Sequence, residues 1–516
     1  MLTLLTLMPI IVVLGLLLFA KWPADLSGLI GWILTVAIAC LFFHTSLVVA
    51  LTASVVGLVA SFPVSLMVGT SIFQIGFLEV TGALKRIVIF VKTIARENHA
   101  VQVMIINMGI GTLLVSVGAT PVSILPPIML AMGYSTFVSV ALPALGFDGL
   151  CTYALLGAPL VAFSDLTGTP LTESARVFSQ FMPIISTMIG FGMLWMLGGW
   201  KKVAEGFVPC LLAGLTMGLT AMAVAQVGKG VVLSGVFAGL ATILVMVAYT
   251  KIRGEALIDR SDMDEKDLSI EHSMSLLKAL APWLILIVCC LVVNFYAPLY
   301  NYLYKTIQMP FSPVGPKPVL TRMLWNAYTW VIISTLLAVP FLKPSGQQWK
   351  EIFSKWVKRA PRPVFSAAVF FAIAYVMMYS GFIPTGKAWN PDPAFNMIAV
   401  IANSSAYFFK GLYPAVAAFL GLMGGFVTGS EASAIALFAK YNQQVSSSPL
   451  VHAKPLIVTA GIAIAGGLAS VISPAKLQNA AATIDALGIE SQVIKKAVIV
   501  ALVFTAVAAF LTYIWA

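Results

Sequence analysis

Apolar runs of membrane-spanning length, separated by short polar punctuation, recur from end to end of this chain. Stretches such as 25–43, 179–199, 206–226, 230–250 and 280–299 are each long enough to cross a bilayer as a helix, which needs about twenty residues. The runs 121–133 and 134–147 are too short to cross alone and read as half-helices or re-entrant pieces. Residues 44–61 read as a further hairpin, and 2–20 as a retained first helix ending at an interfacial Lys21-Trp22-Pro23 rather than a signal peptide. The pattern predicts an all-α polytopic membrane protein with about 12 to 14 crossings.

Four apolar runs stop on small or polar residues, at 116–121 (SVGATP), 155–159 (LLGAP), 428–433 (TGSEAS) and 472–476 (ISPAK). A break at membrane depth frees backbone N–H and C=O groups, and is tolerated only inside protein or beside water. Two breaks fall in each half of the chain. Paired interruptions of this kind mark a transporter of two inverted repeats with a site near the midplane. The one long polar stretch divides the halves, giving membrane domains 1–250 and 280–516 around a cytoplasmic linker, 251–279. The linker's acids lack the turn glycine of a calcium-binding loop.

Composition agrees. Of 516 residues 60% are hydrophobic and 9% are charged, where soluble domains carry roughly a quarter charged. The net charge of +11 reflects basic loops. No basic run is interleaved with stacking aromatics, so nucleic acid is excluded as a partner. Lys85, Arg86, Lys92 and Arg96, then Lys201 and Lys202, Lys251 and Arg253, Lys350 to Arg362, and Lys495 and Lys496 mark cytoplasmic ends. That places 300–324 and both termini outside, in a multi-pass protein of the cytoplasmic membrane. The five cysteines form no CxxC pair and the four histidines no HExxH, so neither a metal site nor a cofactor is expected. No phosphate-cradling Gly-rich motif with Lys-Ser or Lys-Thr is present, so ATP-driven transport is not expected.

The run Gly425-Phe426-Val427-Thr428-Gly429-Ser430-Glu431-Ala432-Ser433, with Gly466-Gly467 and Ile472-Ser473-Pro474 after it, resembles the lactate permease family, which includes glycolate permeases. Ala119-Thr120-Pro121-Val122 and Gly157-Ala158-Pro159 are similar to first-half elements of that family. The chain departs from the family pattern with Leu113 in place of a glutamate, with Glu431 after Thr-Gly-Ser, and at Asp148 and Lys476. The resemblance implies a permease, not an enzyme, moving a small monocarboxylate such as lactate or glycolate by proton symport and alternating access. A Na⁺-coupled carrier of a dicarboxylate or sulfonate stays open as an alternative, and a membrane-embedded enzyme as a further one.

A carboxylate substrate needs donors and an offsetting charge, which half-helix N-termini supply. The candidate substrate contacts are Thr120, Thr428, Gly429, Ser430, Ser433, Ser473 and Lys476. Glu431 and Asp148, the carboxylates deepest in apolar sequence, are the candidate proton carriers. The plainer roles are hydroxyls capping their own helices, a snorkelling Lys476, and Glu431 as its structural partner.

Overall fold

A computed structural model of the chain describes residues 2–18, 20, 22–95, 98–227, 230–260, 263–311, 318–385 and 388–516. Twelve helices among them are long and apolar enough to cross a membrane, so the protein is all-α and polytopic. Two short antiparallel strand pairs sit between helices, Met309–Phe311 with Val319–Thr321 and Phe382–Thr385 with Ala388–Pro391. The expected hairpin at 44–61 is instead one helix, Leu47–Ala60. Ser46 is its N-cap, accepting from Val49 N at 3.2 Å. The polar residues that suggest a turn there open a helix.

Several basic residues, most of them in ion pairs, collect on the face that carries the linker, the basic face. Arg86 Nη2 reaches Glu271 at 3.3 Å and Lys92 Nζ reaches Asp267 at 3.2 Å, so the polar linker docks on helix Ala83–Lys92. Glu79, at the end of helix Phe62–Val80, takes Lys355 at 2.8 Å and Arg359 at 2.7 Å from helix Gly346–Arg359. Arg362 meets Asp25 at 2.9 Å.

Two helical hairpins enter the protein from opposite faces. The first runs in along His99–Ser116 and back along Pro121–Ala131. Its mouth is closed by Tyr134 OH donating to Gln102 Oε1 at 2.6 Å. The mouth lies on the basic face, where Asn98 Nδ2 donates to the linker's Glu255 at 3.3 Å. The second runs in along Tyr413–Thr428 and out along Glu431–Ser446, with Tyr413 OH donating to Asn442 Oδ1 at 2.7 Å near its mouth. Gln443 Nε2 donates to Thr167 O at 3.1 Å, at the far end of the span that starts beside Tyr134. The second hairpin therefore opens on the face away from the linker.

Each hairpin is followed by a span broken in its middle. After the first come Thr136–Leu145, an irregular turn, and Ala154–Thr167. After the second come Pro455–Leu468, a tight turn at Ala469–Ile472, and Pro474–Ala482. The order hairpin then broken span thus occurs twice, once from each face.

A glycine seam joins the second hairpin to its broken span. A β-carbon on Gly421 would collide with Ile462 O, and one on Gly425 with Gly466 O. One turn further on, a β-carbon on Gly429 would lie 2.8 Å from Ser473 Oγ. The two helices therefore run side by side at backbone contact, and both end at the same depth.

Candidate functional site

All four predicted breaks are present, and each has a local cause. At the tip of the first hairpin Gly118 takes φ 91°, a left-handed turn that costs a residue without Cβ nothing. Pro121 then starts the returning arm. In the first broken span Leu155, Leu156 and Gly157 are all left-handed, at φ 53°, 52° and 75°. Two leucines held there store roughly 1–2 kcal/mol each, which packing must offset. At the tip of the second hairpin Gly429 is left-handed at φ 65° and Ser430 is extended. In the second broken span Ser473 is extended and Pro474 opens a new helix.

Three of these breaks converge. Thr152 Oγ1 donates to Glu431 Oε1 at 2.6 Å, tying the first broken span to the second hairpin tip. Gly467 has no room for a side chain: a β-carbon there would meet Glu431 Oε2 at 2.6 Å and Cys151 Cβ at 3.1 Å. Lys476 Nζ donates to Ser470 Oγ and stands 4.9 Å from the centre of the Phe147 ring. Asp148 lies within the field of Lys476, Ser470 and Glu431.

Glu431 is 1% exposed, Asp148 4% and Ser473 0%. Among the described residues, four polar atoms of the cluster make no hydrogen bond of normal geometry: both carboxylate oxygens of Asp148, Oε2 of Glu431 and Oγ of Ser473. Buried polar atoms are nearly always hydrogen-bonded. Four such atoms lie together here, so the cluster has hydrogen-bonding capacity that its own side chains leave unused. Two helix N-termini also point in, those of Glu431–Ser446 and Pro474–Ala482. Each offers free N–H groups and partial positive charge to an anion.

The predicted residues divide accordingly. Glu431, Asp148, Gly429, Ser473 and Lys476 are brought together. Ser430 caps its own helix, accepting from Ser433 N at 3.4 Å, and Ser433 is buried one turn inside. The side chain of Thr428 lies outside the described residues; its backbone ends the inward arm. Thr120 stands apart from the buried cluster. It is exposed and makes no capping bond, although its helix touches the site's edge through Ser123, whose Oγ accepts from Asn479 Nδ2 at 3.0 Å.

Sequence reasoning missed Thr152, Cys151, Ser470 and Phe147. The signal available was the segment FDGLCTY, where Asp, Gly and Thr interrupt an apolar run just ahead of the break at 155–159. Among the described residues no three His, Cys, Asp or Glu are grouped to hold a metal ion.

Interrupted helices that deliver buried acids, an amine and free N–H groups to one depth serve solute movement, and they define an integral membrane permease rather than an enzyme. The chain belongs to the L-lactate permease family, whose model matches residues 3–516. It is 23% identical over 435 residues to an L-lactate permease of Streptococcus iniae, covering 83% of this chain and 87% of that protein. It is 22% identical over 553 residues to the glycolate permease GlcA of Escherichia coli K12, covering 99% and 95%. The L-lactate permease of the same strain is 21% identical over 96% of this chain and 93% of its own length. A solved structure of Neisseria gonorrhoeae MtrF, described as an antimetabolite efflux pump, aligns with TM-score 0.44 and 14% identity over 91% of this chain and 84% of that one.

Proposed function

We propose that this protein carries a small monocarboxylate of the lactate or glycolate type across the cytoplasmic membrane together with a proton. The reading rests on one observation above others. The tip of the second hairpin and the middle of both broken spans meet at a buried cluster that holds two carboxylates, one amine and four unsatisfied polar atoms. Full-length similarity to lactate and glycolate permeases supports the substrate class.

In this mechanism the substrate carboxylate sits against Ser473 Oγ and the N–H groups that open Pro474–Ala482. Lys476 moves its ammonium from Ser470 to offset the anion's charge. Each favourable charge–dipole contact is worth up to about 2 kcal/mol when partly buried. Glu431 carries the coupled proton on Oε2, while Thr152 holds the other oxygen and fixes the carboxylate's orientation. Asp148, buried beside Lys476 and Ser470, is the second proton position. The two halves, 1–250 and 280–516, are inverted repeats joined by the linker 251–279, and the site alternates between faces because the hairpins enter from opposite sides.

Proteoliposome uptake of a panel of 2-hydroxy acids under imposed pH or Na⁺ gradients tests this. Accumulation driven by a proton gradient, without Na⁺, is the expected result. Accumulation that requires Na⁺ would replace the proton with a metal cation, and a preference for dicarboxylates or sulfonates would replace the substrate class.

A further inference from the structure

A chamber with charged groups in its wall lies at the ends, away from the linker, of helices that form the central site. It is a cavity of about 690 Å³ on the face away from the linker, with Asp165, Tyr304, Arg322, Tyr379, Lys440 and Gln444 in its wall. Asp165 lies near the end of the first broken span, whose turn carries Thr152. Lys440 stands on the outgoing arm that begins at Glu431, nine residues on and so about 14 Å along the helix. The chamber therefore lies in line with the central cluster and shares two helices with it, but none of its ionisable groups.

Arg322 is the group with spare chemistry here. One nitrogen, Nη1, touches Asp165 Oδ1 at 3.3 Å. The guanidinium carbon lies 4.3 Å over the Tyr304 ring, which fixes the plane of the fork. The Nε atom is buried and has no partner. A guanidinium is built to hold a carboxylate through two parallel bonds, yet Asp165 engages it through a single long one. Lys440, whose Nζ also donates to Gln443 Oε1 at 3.1 Å, adds a second cation to the same wall. Among the described lining residues Arg322 and Lys440 are the cations and Asp165 the acid, and a cleft with an excess of positive charge concentrates anions.

We propose that this chamber is a separate capture site for small organic carboxylates, in which the ligand displaces Asp165 from Arg322 before it moves inward. Asp165 acts as a tethered competitor. It keeps the guanidinium ordered when no ligand is present and yields it to a carboxylate that can make two bonds. The choice of ligand class rests on the transport reading above; the site itself rests on Arg322 and the chamber.

The test uses the full chain with Gln444→Cys as a reporter, since Gln444 is exposed in the chamber wall. Purified protein in detergent is reacted with a sulfonate-bearing thiol reagent, and modification is read at that peptide by mass. Lactate and glycolate should slow the modification and lactamide should not. Arg322→Gln should weaken protection roughly tenfold, and Asp165→Asn should strengthen it by a similar factor, because the charge-assisted bond is lost in one and freed in the other. Opposite shifts from two variants of one pair are not produced by misfolding. Glu431→Gln should leave protection intact. Equal protection by lactamide, no response to either chamber variant, or loss of protection in Glu431→Gln would each overturn the proposal. Protection without any carboxylate uptake in proteoliposomes would leave the capture site standing and remove the transport reading instead.

Discussion

Thr152 Oγ1 donates a 2.6 Å hydrogen bond to Glu431 Oε1, joining residues 279 positions apart in the chain. The bond crosses from the first broken span to the second hairpin tip. It leaves Oε2 as the only oxygen of that carboxylate without a fixed partner. That oxygen is the one on which we place the coupled proton.

Replacing Glu431 with glutamine keeps the shape and removes the exchangeable proton. Wild-type uptake should rise as the outside is made more acidic than the inside. Glu431→Gln should be flat in that gradient while retaining counterflow exchange of labelled substrate. Gradient-driven accumulation at the wild-type level in the variant would show that the proton travels elsewhere.

Thr152→Val removes the donor and leaves a buried acceptor unsatisfied, at a cost of about 1–3 kcal/mol. The expected outcome is a loss of roughly tenfold or more in pH-driven uptake, with Thr152→Ser restoring most of it. A valine variant that transports normally would mean the hydrogen bond is incidental.

Ser430 and Ser473 should respond in opposite ways. Ser430 caps a helix, so Ser430→Ala should lower thermal stability by about 1 kcal/mol and change KM little. Ser473 Oγ makes no bond within the protein. Ser473→Ala should leave the melting temperature nearly unchanged and raise KM for the carboxylate several-fold. Melting curves and uptake kinetics on the two variants separate a structural hydroxyl from a binding one.

Lys476→Gln takes the sole amine from the buried cluster and should raise KM by at least tenfold in both uptake and counterflow, since either mode must neutralise the anion. A change confined to gradient-driven uptake would assign Lys476 to proton coupling instead.

Gly467→Ala places a methyl 2.6 Å from Glu431 Oε2 and 3.1 Å from Cys151 Cβ. Overpacking of this kind costs about 1–3 kcal/mol. Transport should fall further than stability, because the atom displaced is the oxygen to which we assign the coupled proton. Uptake and thermal stability measured side by side decide between the two.

Much of this architecture was legible because broken membrane helices announce themselves. Gly118, Gly157, Gly429 and Pro474 each interrupt an apolar run, and all four mark real breaks. Their convergence was only partly readable. Nothing in the sequence distinguishes Thr120, exposed at a helix start, from Ser473, buried without a partner; both precede a proline that opens a helix. Thr152 was overlooked because a lone threonine in an apolar run ordinarily bonds its own helix. Its partner is set by the tertiary fold alone. The stretch 44–61 is a single helix, Leu47–Ala60, and not a hairpin, because Ser46 caps it and no residue inside it breaks the run.

The seam through Gly421 and Gly425 bears on how the pocket can open. Where two backbones touch with no side chains between them, neither can slide or tilt without shedding contact along its whole length. The tip at Gly429 is thus poorly suited to swing as a flap on its own. Exposing Ser473 to either side calls for the inward arm and its neighbouring half-span to travel as one block, and a single alanine at Gly421 or Gly425 would force the two backbones apart.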